Sequence, residues 1–238
     1  MEKRVIFVTG AGAGIGRVAS LDYAKYGATV ILAGRTLPKL EAVYDEILAA
    51  GYPEPIIYPI DLAGASEDDY DQLAENIREQ FGKLDGLLHN AGVLGARRAI
   101  ANYLTSDWDE CMNINVRAQF LLTRALLPLL ELSDQGRIIF TSSGVGRTGK
   151  AHWGAYAVSK FATEGLMETL ADELDGVSKI TVNAINPGPT RTRMRAKAYP
   201  AENPADLSTP EELMWLYLYL MGPEGSSISG KSINAGSK

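Results

Sequence analysis

The sequence predicts an α/β fold in which helices cover both faces of a doubly wound parallel β-sheet of about seven strands. Three observations indicate this fold. Short β-branched apolar runs alternate with longer segments of helical periodicity, the connections between them are short, and glycines follow several of the helical segments. Repeated strand–helix units form parallel sheets with right-handed crossovers. Neither an internal repeat nor a long linker divides the 238 residues, so we expect one domain over residues 1–238.

The first half of the chain supplies four strands and three helices. Apolar runs typical of buried strands occupy residues 4–9, 29–33, 55–60 and 86–92. Helical periodicity covers residues 15–26, 37–50 and 66–81. Gly27 and Gly51 end the first two helices, and Ser66 begins the third as an N-terminal cap. Prolines in the third strand favour a position at the edge of the sheet.

The second half continues the pattern with one interruption. Strands are expected at residues 136–143 and 179–186, with a closing segment at 230–236, and helices at 107–132, 155–174 and 210–221. Between the sixth strand and the last helix lies a basic, proline-containing loop over residues 188–209. This loop is the longest segment without a regular pattern.

Composition and charge exclude several classes of protein. The net charge of −6 argues against a general nucleic-acid binder. The single cysteine, Cys111, cannot form an internal disulfide, which suits a protein of a reducing compartment. Its side chain is expected to be buried. No signal peptide is apparent, and no apolar run approaches the roughly 20 residues that span a bilayer, so we expect a cytoplasmic protein without a membrane partner. The two histidines, His89 and His152, are too far apart in sequence to suggest a metal site.

A glycine-rich turn joins the first strand to the first helix. The segment "TGAGAGIG" at 9–16 fits T-G-x-x-x-G-x-G through Thr9, Gly10, Gly14 and Gly16. It does not fit G-x-G-x-x-G, because Ile15 stands where the third glycine would be. Glycines let the backbone approach a pyrophosphate, and the N–H groups at a helix N-terminus attract its charge. The turn therefore predicts a dinucleotide site of the Rossmann type at the carboxyl ends of the strands.

The end of the second strand indicates which dinucleotide is bound. An acidic residue there would hydrogen-bond the ribose 2′-hydroxyl of NAD, but Gly34 occupies this position and Arg35 follows it. A guanidinium binds a 2′-phosphate through charge-assisted hydrogen bonds, and Arg17 is a candidate to assist. We therefore expect NADP(H) rather than NAD(H). The alternative is that Arg35 is a solvated loop charge.

Seven motifs in order resemble the short-chain dehydrogenase/reductase family. They are "TGAGAGIG", "DL" at 61–62, "HNAG" at 89–92, Asn115, Ser143, "YAVSK" at 156–160 and "NPGPTRT" at 186–192. Within the family the chain is most similar to bacterial 3-oxoacyl-acyl-carrier-protein reductase-like members. The resemblance implies an enzyme of class EC 1.1.1.-, an NADP(H)-dependent oxidoreductase that transfers a hydride between nicotinamide and a carbonyl or secondary alcohol.

The chemistry of carbonyl reduction explains the catalytic candidates. Hydride addition leaves an alkoxide that needs a proton, which Tyr156 can supply and, in the reverse direction, remove. A free tyrosine has a pKa of about 10, and the ammonium of Lys160, one helical turn away, is expected to lower it. Ser143 at the end of the fifth strand can hydrogen-bond the substrate oxygen. Ser142 is the rival for this role and is expected to point away.

The resemblance implies further roles for the matching positions. Tyr156 and Lys160 would also contact the cofactor, Lys160 through the nicotinamide ribose, and Asn115 would hold a water that links Lys160 to solvent. His89 stands where the family usually has Asn, and it is expected to be a buried structural histidine. The remaining cofactor positions are Ile15 in the glycine turn, Asp61 and Leu62 beside the adenine, Asn90, Ala91 and Gly92 beside its ribose, and Pro187, Gly188 and Thr190 near the nicotinamide carboxamide.

The loop at 188–209 is the segment expected to determine which substrate is bound. The loop at 188–209 is expected to cover a small-molecule carbonyl or alcohol, and His152 and Trp153 are expected at the rim of its pocket. Four cations alternate along the loop, Arg191, Arg193, Arg195 and Lys197. They would either meet an anionic substrate, such as a carrier-linked 3-oxoacyl thioester, or face solvent.

Two other functions compete with a 3-oxoacyl reductase. One is a dehydrogenase of a hydroxysteroid, a sugar or another secondary alcohol. The other is a nucleotide-sensing regulator that catalyses nothing. A sensor has no chemical need for Ser143, Tyr156, Lys160 and Asn115 together, and their joint presence favours an enzyme.

The long helices at 107–132 and 155–174 carry more apolar residues than one face against a sheet requires. The family commonly pairs these two helices between subunits. We therefore expect a homodimer or homotetramer.

Overall fold

Seven parallel strands form one sheet, in the spatial order β3-β2-β1-β4-β5-β6-β7. The strands are β1 (Val5–Thr9), β2 (Thr29–Gly34), β3 (Ile56–Pro59), β4 (Gly86–His89), β5 (Arg137–Thr141), β6 (Thr181–Asn186) and β7 (Lys231–Asn234). Every neighbouring pair is parallel. The strand order reverses between β1 and β4, which creates the crevice where such sheets bind ligands. The computed structural model describes residues 1–236; Ser237 and Lys238 lie outside the described residues.

Eight α-helices within residues 1–236 connect the strands. They are α1 (Gly14–Lys25), α2 (Leu37–Ala49), α3 (Glu67–Phe81), α4 (Thr105–Met112), α5 (Ala118–Glu131), α6 (Gly154–Leu174), α7 (Arg193–Ala198) and α8 (Pro210–Met221). One core lies between the sheet and helices α1, α2 and α8, and the other lies between the sheet and α3, α5 and α6. The predicted two-sided α/β architecture is therefore confirmed.

Local chemistry fixes the helix ends as the sequence indicates. The Ser66 hydroxyl accepts a hydrogen bond from the Asp69 N–H at 3.3 Å, and the Asp69 carboxylate accepts one from the Ser66 N–H at 2.8 Å. This reciprocal cap begins α3. Gly27 and Gly51 follow α1 and α2 with φ of 91° and 73°, a region that favours glycine. Strand β3 lies at the edge, as its prolines predict.

Four segments differ from the expectation. The predicted helix at 107–132 is interrupted by a π-turn, Asn113–Arg117, between α4 and α5. The loop at 188–209 contains the short helix α7, which Thr192 caps by accepting a hydrogen bond from the Arg195 N–H at 3.2 Å. The strands β4 and β5 also end before residues 92 and 143, because the chain leaves the sheet to line the crevice. Among residues 1–236, no helix has the length and apolar character that crossing a membrane requires.

Candidate active site

A cavity of about 720 Å³ lies at the carboxyl ends of the strands, at the switch point between β1 and β4. All but two of the predicted site residues line it. The residues that do so are Thr9, Gly10, Gly14, Ile15, Arg35, Asp61, Leu62, Asn90, Ala91, Gly92, Ser143, Tyr156, Lys160, Pro187, Gly188 and Thr190. The two exceptions, Gly16 and Asn115, contact residues that line the cavity.

The glycine turn is shaped as a cradle. Gly10 and Gly14 have φ of 68° and 54°, a conformation that other residues rarely adopt. A Cβ at Gly16 would lie 2.4 Å from both the Gly10 carbonyl oxygen and the Asn90 amide nitrogen, so glycine there permits close packing of α1. The residue before α1, Ala13, provides no side-chain cap. The first N–H groups of the helix are therefore available to an anion.

Thr9 ties the end of β1 to the segment after β4. Its hydroxyl donates to the Leu88 carbonyl at 3.2 Å and accepts from the N–H groups of Asn90 and Ala91 at 2.9 and 3.0 Å. The Asn90 side chain returns a hydrogen bond to the Thr9 carbonyl at 3.2 Å. These bonds fix the ends of β1 and β4 relative to each other on the two sides of the switch point.

One end of the cavity is basic. Arg35 and Lys39 both line it, and neither has an acidic partner among the described residues. Arg17 also lines this end but forms an ion pair with Glu46 at 2.5 Å, so its charge is shared. Lys39 is absent from the sequence prediction. Its place in the first turn of α2, just after Arg35 and the end of β2, is the signal that could have found it.

Burial controls the protonation of the catalytic candidates on α6. Tyr156 and Lys160 are 7% and 4% exposed. Burial raises the pKa of Tyr156 to about 12, and a hydrogen bond with Ser143 opposes this rise. Burial lowers the pKa of Lys160 to about 8, against the opposing influence of Cys111 and Glu164. At neutral pH the phenol therefore keeps its proton, and most of the lysine is charged.

Lys160 lies close to Tyr156 without contacting its hydroxyl. Its Nζ is 5.7 Å from the centroid of the Tyr156 ring and donates a hydrogen bond to the Thr141 carbonyl at 2.7 Å. In this arrangement burial outweighs the expected effect of the ammonium on the tyrosine. The expected lowering of the Tyr156 pKa is therefore not what the structure shows, because burial raises it.

The two serines after β5 have different partners. Ser142 donates to the Glu164 carboxylate at 2.5 Å, away from the phenol. Ser143 lines the cavity and interacts with the Tyr156 hydroxyl. This geometry favours Ser143 for the role of hydrogen-bonding a substrate oxygen.

Asn115 braces the wall of the cavity. Its Oδ1 accepts from the Val93 N–H at 2.8 Å, and its Nδ2 donates to the Val93 carbonyl at 2.9 Å and to the Ser159 hydroxyl at 3.0 Å. The two bonds donated by Nδ2 use both of its hydrogens, so a water on this side chain would have to donate to Oδ1. The water-mediated link to Lys160 stays a prediction.

His89 and Cys111 are both buried, as the sequence predicts. The His89 ring stacks on Phe140 with centroids 4.6 Å apart, and its Nε2 is 2.8 Å from the Thr123 hydroxyl. Burial lowers the pKa of His89 to about 3, so the ring is neutral. Burial raises the pKa of the Cys111 thiol.

The cations of the loop at 188–209 do not act alike. Arg191 donates to the Pro204 carbonyl at 2.7 Å, and Arg195 binds Glu202 through two hydrogen bonds of 2.6 Å each. Both therefore stabilise the loop itself. Arg193 and Arg195 line the cavity.

The other end of the cavity is apolar. Trp153 lines it, whereas His152 does not. Its remaining apolar residues, which sequence reasoning missed, are Val93, Leu94, Met194 and Ala198. They come from segments far apart in the chain, and no local pattern marks them.

Comparisons with known proteins agree with this site. A family model for short chain dehydrogenases matches residues 4–203. The uncharacterized oxidoreductase YciK of Escherichia coli K12 is 48% identical over 99% of this chain and 92% of its own length. The 3-oxoacyl-[acyl-carrier-protein] reductase FabG of Thermotoga maritima is 32% identical over 98% of this chain and 96% of its own length.

The fold is shared with solved structures. One from Shigella flexneri 2a, described as a short chain dehydrogenase complexed with NADP, superposes with a TM-score of 0.97 at 48% identity. The match covers 100% of this chain and 98% of that one. The glycine turn, the seven-stranded sheet and the Tyr–Lys pair thus occur in a chain that belongs to the short chain dehydrogenase family.

Proposed function

We propose that this protein is an NADP(H)-dependent oxidoreductase that transfers a hydride between nicotinamide and a carbonyl compound or secondary alcohol. The observation that carries the proposal is that half-buried Ser143 and buried Tyr156 and Lys160 face one cavity together with the glycine turn. General acid catalysis next to a dinucleotide site is the chemistry that these groups suit.

The residues at the basic end favour NADP(H). The uncapped first turn of α1 suits a pyrophosphate, and Arg35 and Lys39 offer two exposed cations to a 2′-phosphate. The Shigella flexneri structure, with NADP bound, supports the same choice. When bound, NADPH supplies the hydride.

The protein supplies the proton and the charge. Tyr156 donates its phenolic proton to the substrate oxygen as negative charge develops there, and Ser143 donates a hydrogen bond to the same oxygen. The phenolate left on Tyr156 is stabilised by the charged form of Lys160 and then takes up a proton from solvent. In the oxidative direction the same phenolate removes the alcohol proton.

The substrate class follows from the apolar end of the cavity and from the relatives. A 3-oxoacyl thioester fits an apolar wall with a basic rim, and the similarity to the Thermotoga maritima reductase supports it. A hydroxysteroid, a sugar or another secondary alcohol is the alternative. Arg193 and Arg195 are the loop cations that line the cavity, and Arg195 is paired with Glu202, which leaves Arg193 to meet a carrier-linked or anionic substrate.

The outer faces of α5 and α6 support a homodimer or homotetramer. Phe120, Val158 and Phe161 are between 41% and 48% exposed on these two helices. Large apolar side chains in such a group mark a protein–protein surface.

The decisive experiment follows NADPH absorbance with a panel of 3-oxoacyl thioesters, ketosteroids and keto sugars, for the wild type and Tyr156→Phe. The variant keeps the ring but has no proton to give, so its kcat is expected to fall by about 10²–10⁴-fold, far more than its NADPH affinity. Tyr26→Phe, at an exposed position, is the control and is expected to match the wild type. NADH in parallel is expected to show a higher KM.

Three results would count against the proposal. A wild type that binds NADPH but reduces no compound would favour the sensor. Equal turnover by Tyr156→Phe would remove the acid from the mechanism. A lower KM for NADH would overturn the cofactor preference.

A further inference from the structure

We propose that Arg97 is a positioning residue that fixes the apolar wall of the cavity and thereby limits the size of the carbonyl compound that reaches Tyr156. The proposal rests on the proposed function for its substrate. Arg97 does not line the cavity; it acts through Trp153 and α7, which do.

The wall and the catalytic tyrosine are mechanically connected. The Trp153 ring, 6% exposed, lies 5.7 Å from the ring of Tyr156 between centroids. On its other side Trp153 lies 5.9 Å from Tyr199, the residue that follows α7. Any movement of Trp153 therefore changes the space beside the phenol.

Arg97 bridges the three segments that meet at this wall. Its guanidinium carbon lies 4.9 Å from the centroid of the Trp153 ring and 5.3 Å from that of Tyr199, within the range of cation–π attraction. Its guanidinium also donates a hydrogen bond to the carbonyl of Ala198, the last residue of α7. One side chain thus connects the loop after β4, the start of α6 and the end of α7.

Helix α7 packs Met194 and Ala198 against the apolar wall, but its other polar contacts are mostly internal to its loop, so a polar anchor from outside the loop fixes its position. The Arg195 guanidinium stacks 3.9 Å from the centroid of Tyr199 and is paired with Glu202 of the same loop. Lys150 ties the loop to the protein by donating to the Tyr199 hydroxyl at 3.1 Å. Of these cations, Arg97 is the one that contacts both Tyr199 and Trp153.

The position of Arg97 separates substrate effects from cofactor effects. It acts at the apolar end of the cavity, whereas Arg35 and Lys39 form the basic end. Loss of Arg97 is therefore expected to weaken substrate binding and to relax the limit on substrate size, with NADPH binding unaltered. A general loss of structure would change substrate binding, the limit on substrate size and NADPH binding together.

The experiment compares Arg97→Ala with Arg98→Ala, the neighbouring exposed arginine, on the full chain saturated with NADPH. Trypsin reports on α7 directly, because its segment carries cleavage sites at Arg191, Arg193, Arg195 and Lys197. We expect Arg97→Ala to be cleaved there about tenfold faster and its substrate KM to rise about tenfold, the effect of losing one hydrogen bond and the stacking. Its kcat and NADPH affinity should stay within about threefold of the wild-type values, which is less than the change expected from losing a hydrogen bond at the reacting end of the cavity.

Two further variants test the mechanism. Arg97→Lys keeps the charge but loses the planar stack, so it is expected to restore part of the KM. Tyr199→Leu removes one of the rings on which Arg97 lies and is expected to reproduce the faster cleavage. In both Arg97→Ala and Tyr199→Leu, bulky substrates should lose less in kcat/KM than small ones.

The outcomes separate this proposal from the proposed function. If the wild type reduces none of the substrates, the proposed function fails, and the trypsin comparison still tests whether Arg97 holds α7. Cleavage and KM equal to the wild type in Arg97→Ala would overturn the positioning role. A fall in kcat and in NADPH affinity as large as the rise in KM would overturn it as well, because that result indicates general damage to the fold.

Discussion

His89 is fully buried at a position where the family usually has Asn, and burial keeps its ring neutral. Its ring is stacked on Phe140, and one nitrogen bonds Thr123. Burial, with a smaller effect from the charge of Lys160, lowers its pKa to about 3. The ring fills the space between sheet and helix without introducing a charge.

This arrangement predicts acid sensitivity that can be assigned to one residue. The folded-state pKa lies below the ordinary value of 6.5, so in acid the unfolded chain binds a proton that the folded chain refuses. Stability is therefore lost as the pH falls from 6.5 towards 3. Between pH 7 and pH 5 the free energy of unfolding of the wild type should fall about 2 kcal/mol more than that of His89→Asn.

Urea denaturation of both proteins at the two pH values measures this difference. His152→Asn is the control, since His152 is exposed and its positive φ of 67° is one that Asn tolerates. It should follow the wild type. Identical pH dependence in the wild type and His89→Asn would show that His89 takes up its proton in the folded state.

The sequence predicted most of the residues that line the cavity, but it did not predict their partners. Arg17 was a candidate to assist with a 2′-phosphate, and Arg195 was expected either to meet an anionic substrate or to face solvent. The structure pairs these residues with Glu46 and Glu202 instead. Neither acid stands in a motif. An ion pair depends on where two segments meet in space, and motif spacing carries no information about that.

At the scale of elements, the π-turn Asn113–Arg117 is the main departure from expectation. A wider turn rotates the residues that follow it and directs Asn115 at Val93 instead of continuing the helical face. Five residues are too few to alter the periodicity of a long apolar segment. The sequence therefore predicts one continuous helix, and only the bonds to the loop after β4 reveal the turn.

Asn115→Ala should destabilise this part of the protein specifically. The N–H and carbonyl of half-buried Val93 would lose these hydrogen bonds, at a cost of about 1–3 kcal/mol in the free energy of unfolding. Guanidinium denaturation measures the loss. Asn113→Ala, in the same π-turn but without a hydrogen bond to the loop after β4, is the control and should lose less than about 1 kcal/mol.

The two variants also separate bracing from helix propensity. Equal losses in Asn113→Ala and Asn115→Ala would mean that the π-turn itself, and not the bonds to Val93, is what matters. A normal NADPH affinity in Asn115→Ala would show that the Asn115 hydrogen bonds support the cavity wall at Val93 and not the glycine turn at 9–16.

At the scale of the whole molecule, parallel topology is what makes the site predictable. Because all strands run in one direction, the residues after β1, β2, β4, β5 and β6 meet at one edge of the sheet. Alternation and motif position were therefore sufficient to place most of the cofactor end. The apolar wall was not predictable, since it is built where α7, the loop after β4 and the start of α6 pack together.

The last whole-molecule property is assembly, and the exposed aromatic residues predict it. Phe120 on α5 and Phe161 on α6 are 48% and 45% exposed and belong to the same helical layer. Covering them with a second subunit removes apolar area from water, at about 25 cal/mol per Å². A carboxylate at each position would be buried unpaired in such an interface.

Sedimentation velocity should therefore find the wild type as an oligomer of the 25.7 kDa chain, and the Phe120→Asp/Phe161→Asp double variant as a smaller species. Leu37→Asp, 43% exposed on α2, is the control and should sediment as the wild type does. Trp215, 45% exposed on α8, provides a second face. If the wild type is a tetramer, Trp215→Asp should reduce it to a dimer, because the α5–α6 surface stays intact in that variant. A wild type that sediments as a single chain would contradict the interface on both faces.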